Sequence, residues 1–95
     1  VGEHQMSVTN DTNRYVVDMA DGRIIYKGDK ANTVKSFVGD QYTWIYNKDG
    51  NYKILSLDGT VIETPVMKDI SGTGTFSHGY SSVKINGGLS TLKAS

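Results

Sequence analysis

For acid–base or metal chemistry this chain offers two imidazoles and ten carboxylate side chains, and it has no thiol. His4 and His78 lie at opposite ends of the sequence, and neither has a second ligand-type residue at a metal-binding spacing. Both read as loop histidines that are hydrogen-bonded or in water. Ser77, His78 and any Asp could be written as a nucleophilic set, but nothing around Ser77 has the pattern of a nucleophile elbow or an oxyanion turn. The stretch "SGTGTFSHG", residues 71–79, is Gly-rich like a phosphate cradle. Such cradles lie between a strand and a helix N-terminus, and no helical pattern follows here, so a flexible return loop is expected. "NKDGN", residues 47–51, alternates oxygen side chains but lacks the further acids and distal Glu of a calcium loop. Turn chemistry accounts for it. Asn10-Asp11-Thr12 is a glycosylation acceptor pattern that has meaning only in a eukaryotic secretory setting. Asp18 and Glu63 fall on strand-like runs while most other acids sit in turns, which leaves no carboxylate pair for glycoside chemistry. No catalytic centre, metal or cofactor is expected.

One constellation stands apart. In "YTWIYN" the aromatic residues Tyr42, Trp44 and Tyr46 alternate, so on a strand all three point to one face. An exposed strip of this kind stacks sugars or grips a partner chain. The competing use is packing against a neighbouring layer, and the apolar residues expected opposite Trp44 favour it.

The elements that would carry these residues are strands. No window of a dozen residues keeps apolar side chains at helical spacing without Gly, Asn or Asp intervening. Short runs rich in Val, Ile, Tyr and Thr alternate instead with Asn, Asp and Gly, the pattern of antiparallel strands joined by tight turns. Strands are expected over 5–9, 14–20, 23–27, 34–38, 41–47, 51–57, 60–64, 66–70, 80–85 and 88–93. Asp21-Gly22, Asp49-Gly50 and Asp58-Gly59 are the strongest turn signals, suited to two-residue type I′ loops. Such loops would set Trp44 opposite Leu55, Ile45 opposite Ile54 and Leu55 opposite Ile62. The hairpin is then apolar on both faces, as stacked layers require. Pro65 should end a strand or sit at an edge.

The chain also matches itself. Residues 13–28 lie on 50–65 without a gap: Tyr15 falls on Tyr52, Val17 on Ile54, Asp21-Gly22 on Asp58-Gly59 and Ile24-Ile25 on Val61-Ile62. Residues 42–54 lie on 80–92 in the same way, with Phe37 and Phe76 at like places before Gly39 and Gly79. About two and a half copies of one four-segment unit are implied, covering roughly 1–40, 41–79 and a partial 80–95. Written a, b, c, d, the segments run abcd, abcd, ab. The first a lacks a preceding d and the last b lacks a following c, as in a piece of a longer array, so the ends should be open to strand pairing.

"FSHGYSSVKINGGLSTL", residues 76–92, and "DGNYKILSLDGTVIETP", residues 49–65, resemble the WG-containing (KWG) repeats of bacterial proteins. The likeness covers most of the chain and rests on short, turn-dominated motifs. Tyr15-Val16, Tyr52-Lys53 and Leu89-Ser90 stand where the family has Trp-Gly, so propeller-blade and other β-repeat families share the outline. The resemblance implies a repeat scaffold, often on surface or secreted proteins, with no shared catalytic activity.

Bulk composition narrows the partners. The chain has 95 residues with ten basic and ten acidic side chains, so it carries no cationic footprint for nucleic acid or an anionic membrane. No apolar run approaches the ~20 residues of a spanning helix, and "VGEHQMSVTN" has neither the basic nor the apolar region of a signal peptide. The expectation is an all-β antiparallel meander, propeller-blade-like or solenoid-like, with no substantial helix. It would act as a structural or interaction module whose partner is protein, itself or neighbouring repeats, through strand pairing. An extracytoplasmic or surface location is slightly favoured. The alternative is a carbohydrate-binding module that uses Tyr42, Trp44 and Tyr46.

Overall fold

The computed structural model describes residues 4–94 and is all-β. Among the described residues ten strands run in chain order: β1 Gln5–Thr9, β2 Asn13–Asp18, β3 Ile24–Asp29, β4 Thr33–Val34, β5 Tyr42–Tyr46, β6 Lys53–Ser56, β7 Val61–Ile62, β8 Ile70–Thr73, β9 Tyr80–Ile85 and β10 Gly88–Lys93. They form three antiparallel meanders: a first sheet β1-β2-β3, a central sheet β4-β5-β6-β7 and a third sheet β8-β9-β10. In segment letters these are abc, dabc and dab, so each d segment pairs with the a that follows it. The strands expected over 5–9, 80–85 and 88–93 are found with those bounds. Residues 66–70 depart from expectation: Pro65–Asp69 is a short 3-10 turn and the strand begins only at Ile70. Pro65 explains the difference, because its fixed φ and missing N–H start a helical turn more readily than they continue a ladder. Residues 71–73, expected in a loop, belong to β8.

The hairpins have a different register from the one expected. Trp44 pairs with Ile54 and Thr43 with Leu55, one residue away from a two-residue loop. Leu55 then pairs with Val61, and Ile54 with Ile62. The cause lies in the turns. The Gly50 N–H donates to Asn47 O at 3.0 Å and the Gly59 N–H to Ser56 O at 2.9 Å, which closes an ordinary four-residue turn in each case. Gly50 and Gly59 follow with φ of +79° and +95°. That is a type I turn with a left-handed glycine after it, so the loop has three residues and the Asp keeps a negative φ. Asn47 Oδ1 accepts from the Asp49 N–H and Asp58 Oδ1 from the Thr60 N–H, both at 2.9 Å, which holds the turns locally. The Asp58 carboxyl consequently sits below its ordinary range, held there first by the Thr60 hydroxyl, then by the Thr60 backbone N–H, with smaller help from Ser56 and Arg23. A lowered folded-state pKa supports the turn above the usual carboxylate range, and that support fades as pH falls through the lowered value. The two-residue type I′ loop is found at Asn86-Gly87, with φ of 50° and 82°.

The first hairpin carries one residue more. Its register shifts between Val16 and Val17, and the Asp18 N–H donates to Arg23 O. Val16 is therefore the β2 residue buried toward the central sheet, where the gapless sequence match put Val17.

Alternation along the strands then buries the central sheet twice. Trp44 and Ile54 face the third sheet, packing with Met67, Ile70, Phe76, Val83 and Ala94. Ile45 and Leu55 face the first sheet, packing with Val16, Ile25, Val34 and Phe37. Principal extents of 38 × 29 × 17 Å fit three layers in a row, given the ~10 Å spacing of packed sheets. Polar bonds cross both interfaces: Arg23 Nη2 donates to Leu57 O at 3.1 Å, and Lys35 Nζ donates to Thr73 O at 3.1 Å.

Certain bonds recur from sheet to sheet. Met19 donates to His4 O, Leu57 to Gln41 O and Ala94 to Gly79 O, each linking the residue beyond the second segment to the one before the first. Thr43 Oγ1 donates to Ser36 O, and Ser81 Oγ to Gly74 O, from matching positions in β5 and β9.

The turn geometry predicts that Gly50→Ala costs about 1–2 kcal/mol from the left-handed φ alone. Gly59→Ala should cost more, because its Cβ would lie 3.2 Å from Ile25 O in the neighbouring sheet. Thermal unfolding checks this: the Gly59 variant should melt lower, and equal midpoints would contradict the packing of that turn on the first sheet.

Candidate functional site

Three features could act on another molecule: the aromatic strip, a polar cleft and the outer faces of the end sheets. The strip is built as its alternation implies, with Tyr42, Trp44 and Tyr46 on one face of β5. That face is the interface with the third sheet. Trp44 is 1% exposed and stacks on Phe76 with ring centroids 5.1 Å apart, while Tyr52 meets its edge at 6.1 Å. Its Nε1 donates to Ser81 Oγ at 2.9 Å, which satisfies the indole N–H inside the core. Tyr42 lies tilted against Phe76 at 5.8 Å, and Tyr46 stacks on Tyr52 at 5.5 Å with Lys35 Nζ over its ring at 5.7 Å. Both tyrosines are half-buried. A sugar ring could reach Tyr42 or Tyr46 from the side, but stacking on Trp44 would require it to displace Phe76.

The cleft occupies the end of the layers where the segments preceding β1, β5 and β9 converge. Its volume is about 490 Å³, and His4, Asp40, Gln41, Leu57, Ser77 and His78 are among its walls. The two histidines, remote in sequence, thus line one cavity. No spacing rule signals this, because the juxtaposition exists only once the sheets stack. Asp40 acts as a clamp: its Oδ1 accepts from the Gln41 N–H at 2.7 Å and its Oδ2 from the Gly79 N–H at 3.0 Å. That second bond ties the central sheet to the third. His78 and Gly79 form a tight turn with φ of 54° and 80°, closed by mutual backbone bonds between Ser77 and Tyr80. Ser77 Oγ and His78 Nδ1 are 3.1 Å apart on an exposed turn. Among the described residues no group of three or more His, Asp or Glu is placed to hold a metal ion.

The outer faces differ from one end to the other. On the first sheet Met6, Val8 and Ile24 stand 47%, 42% and 58% exposed beside half-buried Tyr15 and Val17. On the third sheet Tyr80 and Leu89 are exposed, Leu89 at 84%, among Ser82, Lys84, Thr91 and Lys93. A recess of about 310 Å³ lies there, walled by Gly72, Gly74, Ser82, Lys84 and Leu89.

Among the described residues no helix is long and apolar enough to cross a membrane. Comparison with known proteins finds no matching family, no matching curated protein and no matching solved structure.

The packing of Trp44 makes a direct prediction. Its emission should be blue-shifted and unmoved by iodide or by a panel of glycans. Trp44→Ala should cost about 3–5 kcal/mol, a large share of the ~5–15 kcal/mol that holds a small domain together. Ser81→Ala, which strands the indole N–H, should cost about 1–3 kcal/mol. A red, quenchable emission that shifts with a glycan would contradict the buried position.

Proposed function

We propose that the chain is a non-catalytic interaction module made of tandem β units, which works by stacking sheet on sheet and engages protein through the ends of the stack. The observation that carries this reading is a side-chain bond repeated at matched positions of two sheets: Thr43 Oγ1 donates to Ser36 O and Ser81 Oγ to Gly74 O. Unrelated hairpins have no reason to repeat a contact between these positions. Tandem copies do, because equal segments in equal settings must satisfy the same backbone groups. The ladder order abc, dabc, dab supports the reading further, because it follows the segments matched in the sequence.

In such an array each unit touches only its neighbours, and a unit in the middle is buried on both faces. The central sheet meets that condition. The end sheets each keep one face open, and those faces are the surfaces this reading assigns to partners. The likeness to WG-containing repeats fits the same role and suggests a bacterial surface or secreted setting.

Inserting a second copy of residues 33–69 after Asp69 tests the reading. The duplicate repeats the phase of the chain, since Thr33 would follow Asp69 where Ile70 does now. Its outer faces would meet apolar surfaces of the kind it already packs against. The expected product is an all-β protein that unfolds in one cooperative step at a temperature no lower than the parent. A molten or unfolded product would overturn the tandem reading.

A further inference from the structure

We propose that a second cleft, between the first and central sheets, binds a neutral saccharide through an amide-lined wall. The inference goes beyond the tandem reading and makes no use of the outer faces.

The cleft opens at the end of the layers that carries the β5–β6 turn, away from His4 and His78. Its volume is about 540 Å³, and Tyr26, Asn32, Asn47, Asn51, Lys53 and Glu63 line it. Small-molecule sites span ~300–1,000 Å³. Alternation explains why polar residues gather there. Val34, Ile45, Leu55 and Val61 form the apolar part of the central sheet's face toward the first sheet. Two residues along from each stand Asn32, Asn47, Lys53 and Glu63, so the same face turns polar as it runs to this end. Val61, paired with fully buried Leu55, is 45% exposed because it borders the cleft.

The matching end of the other interface is sealed. There the 3-10 turn between β7 and β8 drives Met67 into the core at 2% exposure, and Ile85 packs against the same cluster. Asn47 falls on Ile85 when 42–54 is laid on 80–92, and the connection from β3 to β4 supplies Asn32 in place of a methionine. Amides thus stand in the first interface where apolar side chains close the second.

The wall is ordered before any ligand arrives. Asn32 Nδ2 donates to the Tyr26 hydroxyl at 3.1 Å, and Asn47 Nδ2 donates to Asn32 Oδ1 at 3.4 Å. Gly28 gives the Tyr26 phenol its place, since a Cβ there would overlap the phenol. Lys53 and Glu63 stand across from each other, one step beyond the Ile54–Ile62 pair. Among the described residues neither forms an ion pair, so an ammonium and a carboxylate remain to bind.

This set of groups selects the ligand class. A sugar carries hydroxyls that each donate and accept, around a ring with an apolar face. Side-chain amides donate and accept in the same way, Lys53 donates and Glu63 accepts. Tyr26 and Val61 offer the apolar surface. Phosphate would meet the Glu63 carboxylate, and a purely apolar ligand would strand three amides. Trp44 lies on the opposite face of the central sheet, so this site is separate from the aromatic strip.

Amide NMR of the full chain, titrated with cellobiose, maltose, lactose and N,N′-diacetylchitobiose, tests this. At least one sugar should shift the side-chain amides of Asn32, Asn47 and Asn51 and leave the Trp44 indole N–H unmoved. Asn51→Ala and Glu63→Ala change exposed side chains, so the folded spectrum should persist. Affinity for that sugar should fall about tenfold or more in each. A panel that leaves all three amides in place overturns the proposal, as do variants that bind like the wild type. Shifts confined to Tyr42 and Tyr46 would place the sugar on the strip instead, and shifts from glycine or inorganic phosphate with none from any sugar would show the wrong ligand class; either result overturns it too.

Discussion

The central sheet is buried on both of its faces, and the rest of the molecule depends on that. Trp44 and Ile54 on one side and Ile45 and Leu55 on the other remove four large side chains from water within two adjacent strands. Full burial of one such side chain contributes about 1.5–3 kcal/mol. A 95-residue chain without disulfides has few other sources of stability. Neither end sheet has a second apolar layer of its own, so each holds its place by covering one face of the middle one.

Register is what makes this double burial possible. A one-residue slip moves every side chain of a strand to the opposite face. If the Asp49-Gly50 connection held two residues, Trp44 would pair with Leu55, and the row that packs on Phe76 and Val83 would be split between two sides. The three-residue turn, set by left-handed Gly50 and by Asn47 bonding into its own loop, aligns Trp44, Ile54 and Ile62 in one row facing the third sheet. Local turn chemistry thus decides which residues form each interface. The hydrogen bond from Trp44 to Ser81 is a consequence of that alignment.

Strand existence was legible because β-branched and aromatic runs alternate with Asp-Gly and Asn-Gly pairs, and β9 and β10 around Asn86-Gly87 are the clearest case. The register was not, because Asp-Gly serves a two-residue loop and a type I turn with a following glycine equally well. Residues 66–70 misled for a similar reason: Val66, Met67 and Ile70 suit a strand, but Pro65 dictates the local conformation. The aromatic face of β5 was readable from spacing alone, and its burial against Phe76 needed the third sheet in place. Nothing in the sequence hinted that His4, Asp40 and His78 would share a cleft, since that proximity comes from stacking order.

Amide hydrogen exchange tests the double burial most directly. A sheet covered on both faces opens only when the whole domain unfolds, whereas an end sheet can fray by itself. Under conditions that keep the chain monomeric, the amides of Thr43–Ile45 and Ile54–Leu55 should exchange most slowly and at one common, global free energy. Those of Gln5–Thr9 and Gly88–Lys93 should exchange faster. Central amides that open at lower cost than either end sheet would contradict the account.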